Sequence, residues 1–199
     1  MLWSDEGYLL SRNNYSENSI IIEAFTLNHG KYNGIVYGGS SSKQKRNFQI
    51  GNKMILNWKS KNENRNGYFT TELIDPITPF FFDDKKRSLC ILAASSILKI
   101  LLPERQINKI IYQSFETLLK NLSDPKWIKF YILWELNLIK ELGFEINFLN
   151  NINSKKNKSF VELNNNKYKI PKIIYTNASE NIIQDDIKES GGDLALDIQ

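Results

Sequence analysis

The hydrophobic period of this chain changes once, and that change limits the possible folds more than any other feature. Up to Asp75 the apolar residues fall in short runs rich in Ile, Val, Tyr, Phe, Trp and Thr. Beyond Asp83 they recur at i, i+3 and i+4, and Asp75-Pro76 and Pro79 lie between the two regimes. Alternation puts successive side chains on opposite faces of a strand, whereas the longer period lines one side of a helix. The expected class is therefore α+β, with a β part followed by an α part.

Five runs in the first part read as strands: Gly7–Arg12, Ser19–Thr26, Gly30–Tyr37, Met54–Ser60 and Tyr68–Ile74, each bounded by Gly, Asn or Ser. With tight turns expected at Asn28-His29-Gly30 and Asn66-Gly67, they suggest a small closed sheet. The OB-fold is a five-stranded barrel of this size that commonly binds single strands. This domain is expected over residues 1–78.

A helical domain is expected over 83–148. Its first helix carries a stripe of Leu89, Leu92, Ala93, Ser96, Ile97, Ile100 and Leu101, with Asp83 or Asp84 as N-cap and Pro103 as the stop. A second stripe runs through Ile107, Ile110, Ile111, Phe115, Leu118, Leu119 and Leu122. The third helix has Ser123-Asp124-Pro125 as its cap and first turn, a body from Trp127 to Leu142 with apolar residues on more than one face, and Gly143 as its stop. Residues 149–199 turn to Asn, Lys and Ser and read as irregular, with Ile170-Pro171 to Tyr175 extended and Gln184 to Lys188 beginning an incomplete last helix.

Net charge is only +4, so its placement matters more than its size. Lys31 to Lys61 holds seven cations and no aspartate or glutamate, interleaved with Tyr32, Tyr37, Phe48 and Trp58. Cations neutralise phosphates and aromatic faces stack on bases, so the block suggests a nucleic-acid surface. The candidate contacts are Lys43, Lys45 and Arg46 at a hairpin tip, then Lys53, Lys59 and Lys61, then Arg12 and Arg65. Trp58 is expected in the barrel core, whereas Tyr37 and Phe48 are open between stacking and core roles. His29 has no neighbouring Cys or second His, so it reads as structural or exposed. No catalytic constellation, metal site or cofactor motif emerges, and an enzyme is not expected. The lone Cys90 reads as a buried thiol in a reducing cytoplasm. MLWSDEG lacks the features of a secretion signal, and the apolar run Leu89 to Leu102 is too short and polar to span a bilayer. No membrane association is expected.

Three blocks carry a family resemblance. They are Trp3-x-Asp5-Glu6-Gly7 with Glu23-x-x-Thr26-x-x-x-Gly30, Gly34-x-Val36-x-Gly38-Gly39-x-Ser41 and Gln49-x-Gly51; then Leu101-Leu102-Pro103-Glu104-Arg105; then Trp134-Glu135-Leu136-x-Leu138-x-x-x-Leu142-Gly143-Phe144. In order and spacing the chain resembles the RecO family of bacterial recombination mediators, in its alphaproteobacterial branch. The resemblance implies an OB-fold followed by a helical domain, binding to single- and double-stranded DNA, and annealing of strands coated by single-strand binding protein. It also implies partnership with RecR, indirect action on RecA, and a cytoplasmic, nucleoid-associated location. A pocket for the acidic, hydrophobic tail of single-strand binding protein is implied in the helical domain, where Arg105, Lys109, Lys126 and Lys129 are the candidate residues. Many members carry a four-cysteine zinc insertion, but this chain has no Cys after Cys90 and no His after His29, so a Cys-type site is impossible there. The residues alone also permit an RNA-binding OB protein or a protein-interaction scaffold.

Overall fold

A computed structural model describes residues 2–41, 44, 46–60, 67–143, 160–163 and 166–169. Met1–Leu142 form one compact unit and Gly143–Gln199 a second. In the first unit, β1 (Leu2–Ser16), β2 (Ser19–Thr26), β3 (Gly30–Tyr37), β4 (Lys53–Lys59) and β5 (Gly67–Asp75) are followed by a 3₁₀ turn, Thr78–Phe81. Then come α1 (Lys85–Leu101), α2 (Lys109–Lys120) and α3 (Trp127–Glu141).

The strands close into a barrel in the order β1-β2-β3-β5-β4. β1 makes closure possible because it serves two neighbours: Leu2–Tyr8 pair with β4 and Gly7–Ser16 with β2. The β3–β5 contact is parallel, with Ile35 opposite Tyr68. A closed five-stranded barrel followed by three helices is the expected OB-fold with a helical domain.

Two apolar cores follow from strand alternation. Leu9, Ile20, Ile22, Val36, Phe48, Leu56, Trp58 and Phe69 point into the barrel and fill it. Tyr8, Leu10 and Phe25, out of phase with them, point outward and join Ile91, Leu98, Ile111, Phe115, Leu118 and Trp134 in the second core. The helices therefore rest on the barrel wall. At about 25 cal/mol per Å² of apolar surface removed from water, this shared layer is the main reason the two parts hold together.

Helix starts and stops are locally encoded. The Asp84 side chain caps α1 by accepting from the Lys86 and Arg87 amides, and Asn108 caps α2 by accepting from Ile111 N. α3 begins at Trp127, as its expected body does, and Asp124 accepts from Lys126 N in the turn that leads into it.

The expected stripe of α1 is corrected. The buried face is Cys90, Ile91, Ala94, Ser95 and Leu98, while Leu89, Leu92, Ile100 and Leu101 are exposed. α1 carries apolar residues on both sides, so periodicity alone could not select its inner face. In α2 the stripe holds from Ile111 onward, and Ile107 and Ile110 are exposed.

In the second unit Phe160–Leu163 (β6) and Asn166–Lys169 (β7) pair antiparallel. The extended piece expected from Ile170 to Tyr175 and the last helix at Gln184 to Lys188 lie outside the described residues.

Candidate nucleic-acid interface

The β3–β4 connection, residues 38–52, is held at its base. Asn52 is fully buried; its side chain donates to the Asn47 carbonyl at 3.1 Å and accepts from Thr78 N at 3.1 Å. Gly51 N donates to the Leu9 carbonyl at 2.8 Å, and Phe48 is plugged into the barrel interior. The open question for Phe48 thus resolves to the core, as the expectation for Trp58 does; both side chains are buried. Gly51 has φ +91°, and a Cβ there would lie 2.4 Å from Ile91 of α1, so only glycine lets the connection turn against the helix. Arg46 is exposed on this anchored connection, and Lys43 and Lys45 lie outside the described residues.

Beside it runs the outer face of β3, β5 and β4. With Val36, Phe69 and Trp58 pointing inward, Ile35, Tyr68 and Lys59 must point outward, and pairing aligns them in one row. Lys59 is exposed, Tyr37 is 70 % exposed and Tyr68 36 %. The two tyrosine rings lie 6.2 Å apart at 58°. With Val36, Gln44, Phe69, Thr70 and Thr71 they line a hollow of about 260 Å³. Tyr68 was missed in the sequence, although its place next to inward-facing Phe69 is the signal that turns it outward. Lys61 and Arg65, in the β4–β5 connection, lie outside the described residues.

Lys53 departs from the expected set of contacts. Its ammonium sits 2.9 Å from Glu6 Oε1 and 2.7 Å from Glu116 Oε1, with the side chain only 15 % exposed. The Tyr8 hydroxyl donates to the same Glu116 oxygen at 2.9 Å, and Tyr112 OH reaches Glu6 at 3.4 Å. Burial alone would lower the Lys53 pKa, but the bonds to Glu116 and Glu6 outweigh it and hold the group above its ordinary value. For Glu116 burial pushes upward, and the bonds from Lys53 and Tyr8 hold it below. Burial and the Glu116 charge together push the Tyr8 phenol far up, so it stays a donor. Lys53 therefore ties the barrel to α2. Lys31 is likewise turned inward, its ammonium donating to the Lys99 carbonyl at 2.6 Å near the end of α1. The absence of acids between residues 31 and 61 does not leave every cation of the block to a ligand, because carboxylates and carbonyls arrive from elsewhere in the chain.

His29 has a structural place. It stacks on Trp3 with centroids 4.2 Å apart and meets Asp5 Oδ2 at 2.9 Å. Asp5 also accepts from Asn28 N at 2.7 Å and Asn28 Nδ2 at 3.1 Å. Burial would raise the Asp5 pKa, but the bonds from His29, Asn28 and Glu6 outweigh it and hold the carboxyl low. Trp3-x-Asp5-Glu6 is thus a structural device: Trp3 and Asp5 hold the β2–β3 turn and Glu6 meets Lys53.

Arg12 sits apart from the tyrosine row. It lines a cleft of about 800 Å³ with Phe48, Phe82, Lys85, Leu89 and Leu92. The β3–β4 connection therefore borders two concavities, this cleft and the tyrosine hollow.

The four residues expected at a tail pocket are not brought together. Arg105 has φ +61°, places its guanidinium 5.4 Å from the Tyr32 ring centre and donates its amide to the Lys31 carbonyl. Lys109 opens α2, whereas Lys126 and Lys129 follow its end, and a helix of 12 residues is about 18 Å long. Lys126 is exposed, and Lys129 is buried. Of the metal and membrane expectations, no cluster of three potential ligands occurs among the described residues, and no helix among them is long and apolar enough to cross a membrane.

The first unit thus defines the class as an OB-fold barrel joined through a shared core to a three-helix domain. Family models for "Recombination protein O N terminal" and "Recombination protein O C terminal" match residues 1–77 and 83–163. Proteins named "DNA repair protein RecO" are similar to it. One from Cereibacter sphaeroides is 37% identical over 144 residues, covering 72% of this chain and 60% of the relative. One from a Wolbachia of Drosophila simulans is 33% identical over 148 residues, covering 73% and 61%. One from Roseobacter denitrificans is 32% identical over 147 residues, covering 73% and 61%. The chain belongs to the recombination protein O family, and it spans about three fifths of the length of these curated relatives.

Proposed function

We propose that the chain is a DNA repair and recombination mediator that acts by binding, not by catalysis. In this reading it holds single- and double-stranded DNA through phosphate contacts, anneals complementary strands coated by single-strand binding protein, and works with RecR in loading RecA. The observation that carries the reading is the match of both recombination protein O models in order along the chain. What supports the DNA contact is the anchored β3–β4 connection bearing Arg46 beside the exposed row of Lys59, Tyr68 and Tyr37. Cations on such a surface engage the backbone without reading sequence. Lys43, Lys45, Arg46, Lys59, Lys61 and Arg65 form the proposed contact set, with Arg12 outlying and Lys53 removed by its ion pairs. Annealing then follows from concentrating two strands on one protein.

The test is annealing of complementary oligonucleotides coated with cognate single-strand binding protein, with and without its acidic tail. The reading expects faster annealing that depends on that tail. No acceleration with either form would overturn it, and preferential retention of RNA in competition would point to an RNA-binding protein.

A further inference from the structure

OB barrels commonly offer the outer face of strands 2 and 3 to a bound strand. Here the chain itself occupies much of that face. Lys99 Nζ meets Glu23 on β2 at 3.4 Å, Arg105 N donates to the Lys31 carbonyl on β3 at 2.9 Å, and Asn33 Nδ2 reaches Glu104 at 3.2 Å. Phe25 of β2 is fully buried in the core shared with the helices. What stays open is the far end of β3 and its continuation onto β5 and β4. There Tyr37 and Tyr68 are exposed, Lys59 stands opposite Tyr68 in the β4–β5 register, and Gln44 reaches in from the connection that carries Arg46.

Tyr37 is largely exposed and Tyr68 partly so, and their rings lie near each other on the strand surface. Their hollow, about 260 Å³, is smaller than the clefts that take drug-sized ligands. Its lining mixes the two tyrosines with Gln44, Thr70 and Thr71, residues whose side chains carry an amide or a hydroxyl. A flat, uncharged ring with polar edges matches both parts of that lining. An anion alone would leave the rings unused, and an aliphatic group would make no use of the polar side chains.

We propose that Tyr37 and Tyr68 form a stacking site for one unpaired base of a single strand, whose adjoining phosphate lies over Lys59. This rests on the DNA-binding reading above and assigns the strand a path over β3, β5 and β4 in place of β2 and β3. Stacking needs a base face that a duplex keeps covered, so the site favours single strands over duplexes.

The experiment measures anisotropy of a labelled oligothymidylate and of a matched duplex across a salt series, using the full chain. Variants are Tyr37→Leu, Tyr68→Leu, the double variant and Tyr37→Phe with Tyr68→Phe, each checked for an unchanged melting transition. Loss of a stacking face should weaken single-strand binding by about five- to 150-fold in the Leu variants. The salt slope and duplex affinity should stay as in the wild type, and the Phe variant should restore binding. If the Leu variants are folded and bind the oligothymidylate as the wild type does, or lose duplex binding equally, the stacking site is refuted while the DNA-binding reading stands. If the wild type itself fails to retain any strand at low salt, both fall.

Discussion

Replacing Lys53 with Met separates a structural cation from a DNA-binding one. The change removes an ammonium lying within 3 Å of two carboxylates and leaves Glu6 and Glu116 facing each other, with Tyr8 and Tyr112 as their hydroxyl partners. Breaking a buried pair costs about 3–5 kcal/mol. Glu116 is 20 % and Glu6 35 % exposed, so solvent screens part of the repulsion and a loss of about 2–3 kcal/mol is expected. For a unit of this size that lowers Tm by roughly 6–10 °C.

The pH dependence has a definite sign. Glu116 is held below its ordinary 4.5, so its contribution is present above that value and is lost as pH falls through the lower folded-state pKa. Lys53 is held above its ordinary 10.5, so its contribution is complete below that value and is lost as pH rises through the higher folded-state pKa. Between these limits the wild-type advantage over Lys53→Met should be flat, and it should shrink in acid. Pairing Lys53→Met with Glu116→Leu should recover part of the loss, because the second change removes the stranded carboxylate. Thermal denaturation followed by circular dichroism measures all of this. Single-strand binding should keep its salt slope. A variant with unchanged Tm and a slope reduced by about 0.7 would refute the reasoning and return Lys53 to the phosphate contacts.

Changing Lys43, Lys45 and Arg46 together to Ala should flatten the salt slope for single-stranded DNA by roughly 2; an unchanged slope removes them from the site. Cys90 is buried, and burial with the nearby Glu135 charge pushes its thiol up to about 12, so it should resist thiol reagents at neutral pH until the protein is unfolded. Rapid labelling of the folded chain would contradict that. Gly30→Ala should destabilise by about 2 kcal/mol or more, because φ is +78° and the new Cβ would lie 2.2 Å from the Gln106 carbonyl oxygen. Denaturant titration reads the loss, and a neutral outcome would mean that residues 102–106 do not pack on β3 as described.

Local signals were legible wherever the determinants are local. β2 and β3 match the sequence reading residue for residue, since β-branched runs end at asparagine and glycine turns. β1 reaches from Leu2 to Ser16, well past the apolar core Gly7–Arg12, because pairing with β4 draws in the polar residues of Trp3 to Glu6. That pairing is long-range, and no local pattern announces it. The inner face of α1 was hidden for a different reason: its apolar residues encircle the helix, and only the barrel wall selects Ile91 and Leu98 over Leu89 and Leu92. The candidate site divides the same way. The cationic block and the inward place of Trp58 follow from composition and alternation. The ion pairing of Lys53 and the inward turn of Lys31 depend on Glu6, Glu116 and Lys99, brought near by the fold from distant parts of the chain.

A salt titration of the chain on single-stranded DNA, with RNA of the same length as competitor, bears on the whole reading at once. With three or more phosphates neutralised at about −0.7 each, log K against log salt should fall with a slope of roughly −2 or steeper. RNA should compete no better than DNA. A slope near zero, no retention at low salt, or preferential displacement by RNA would contradict a DNA-holding barrel.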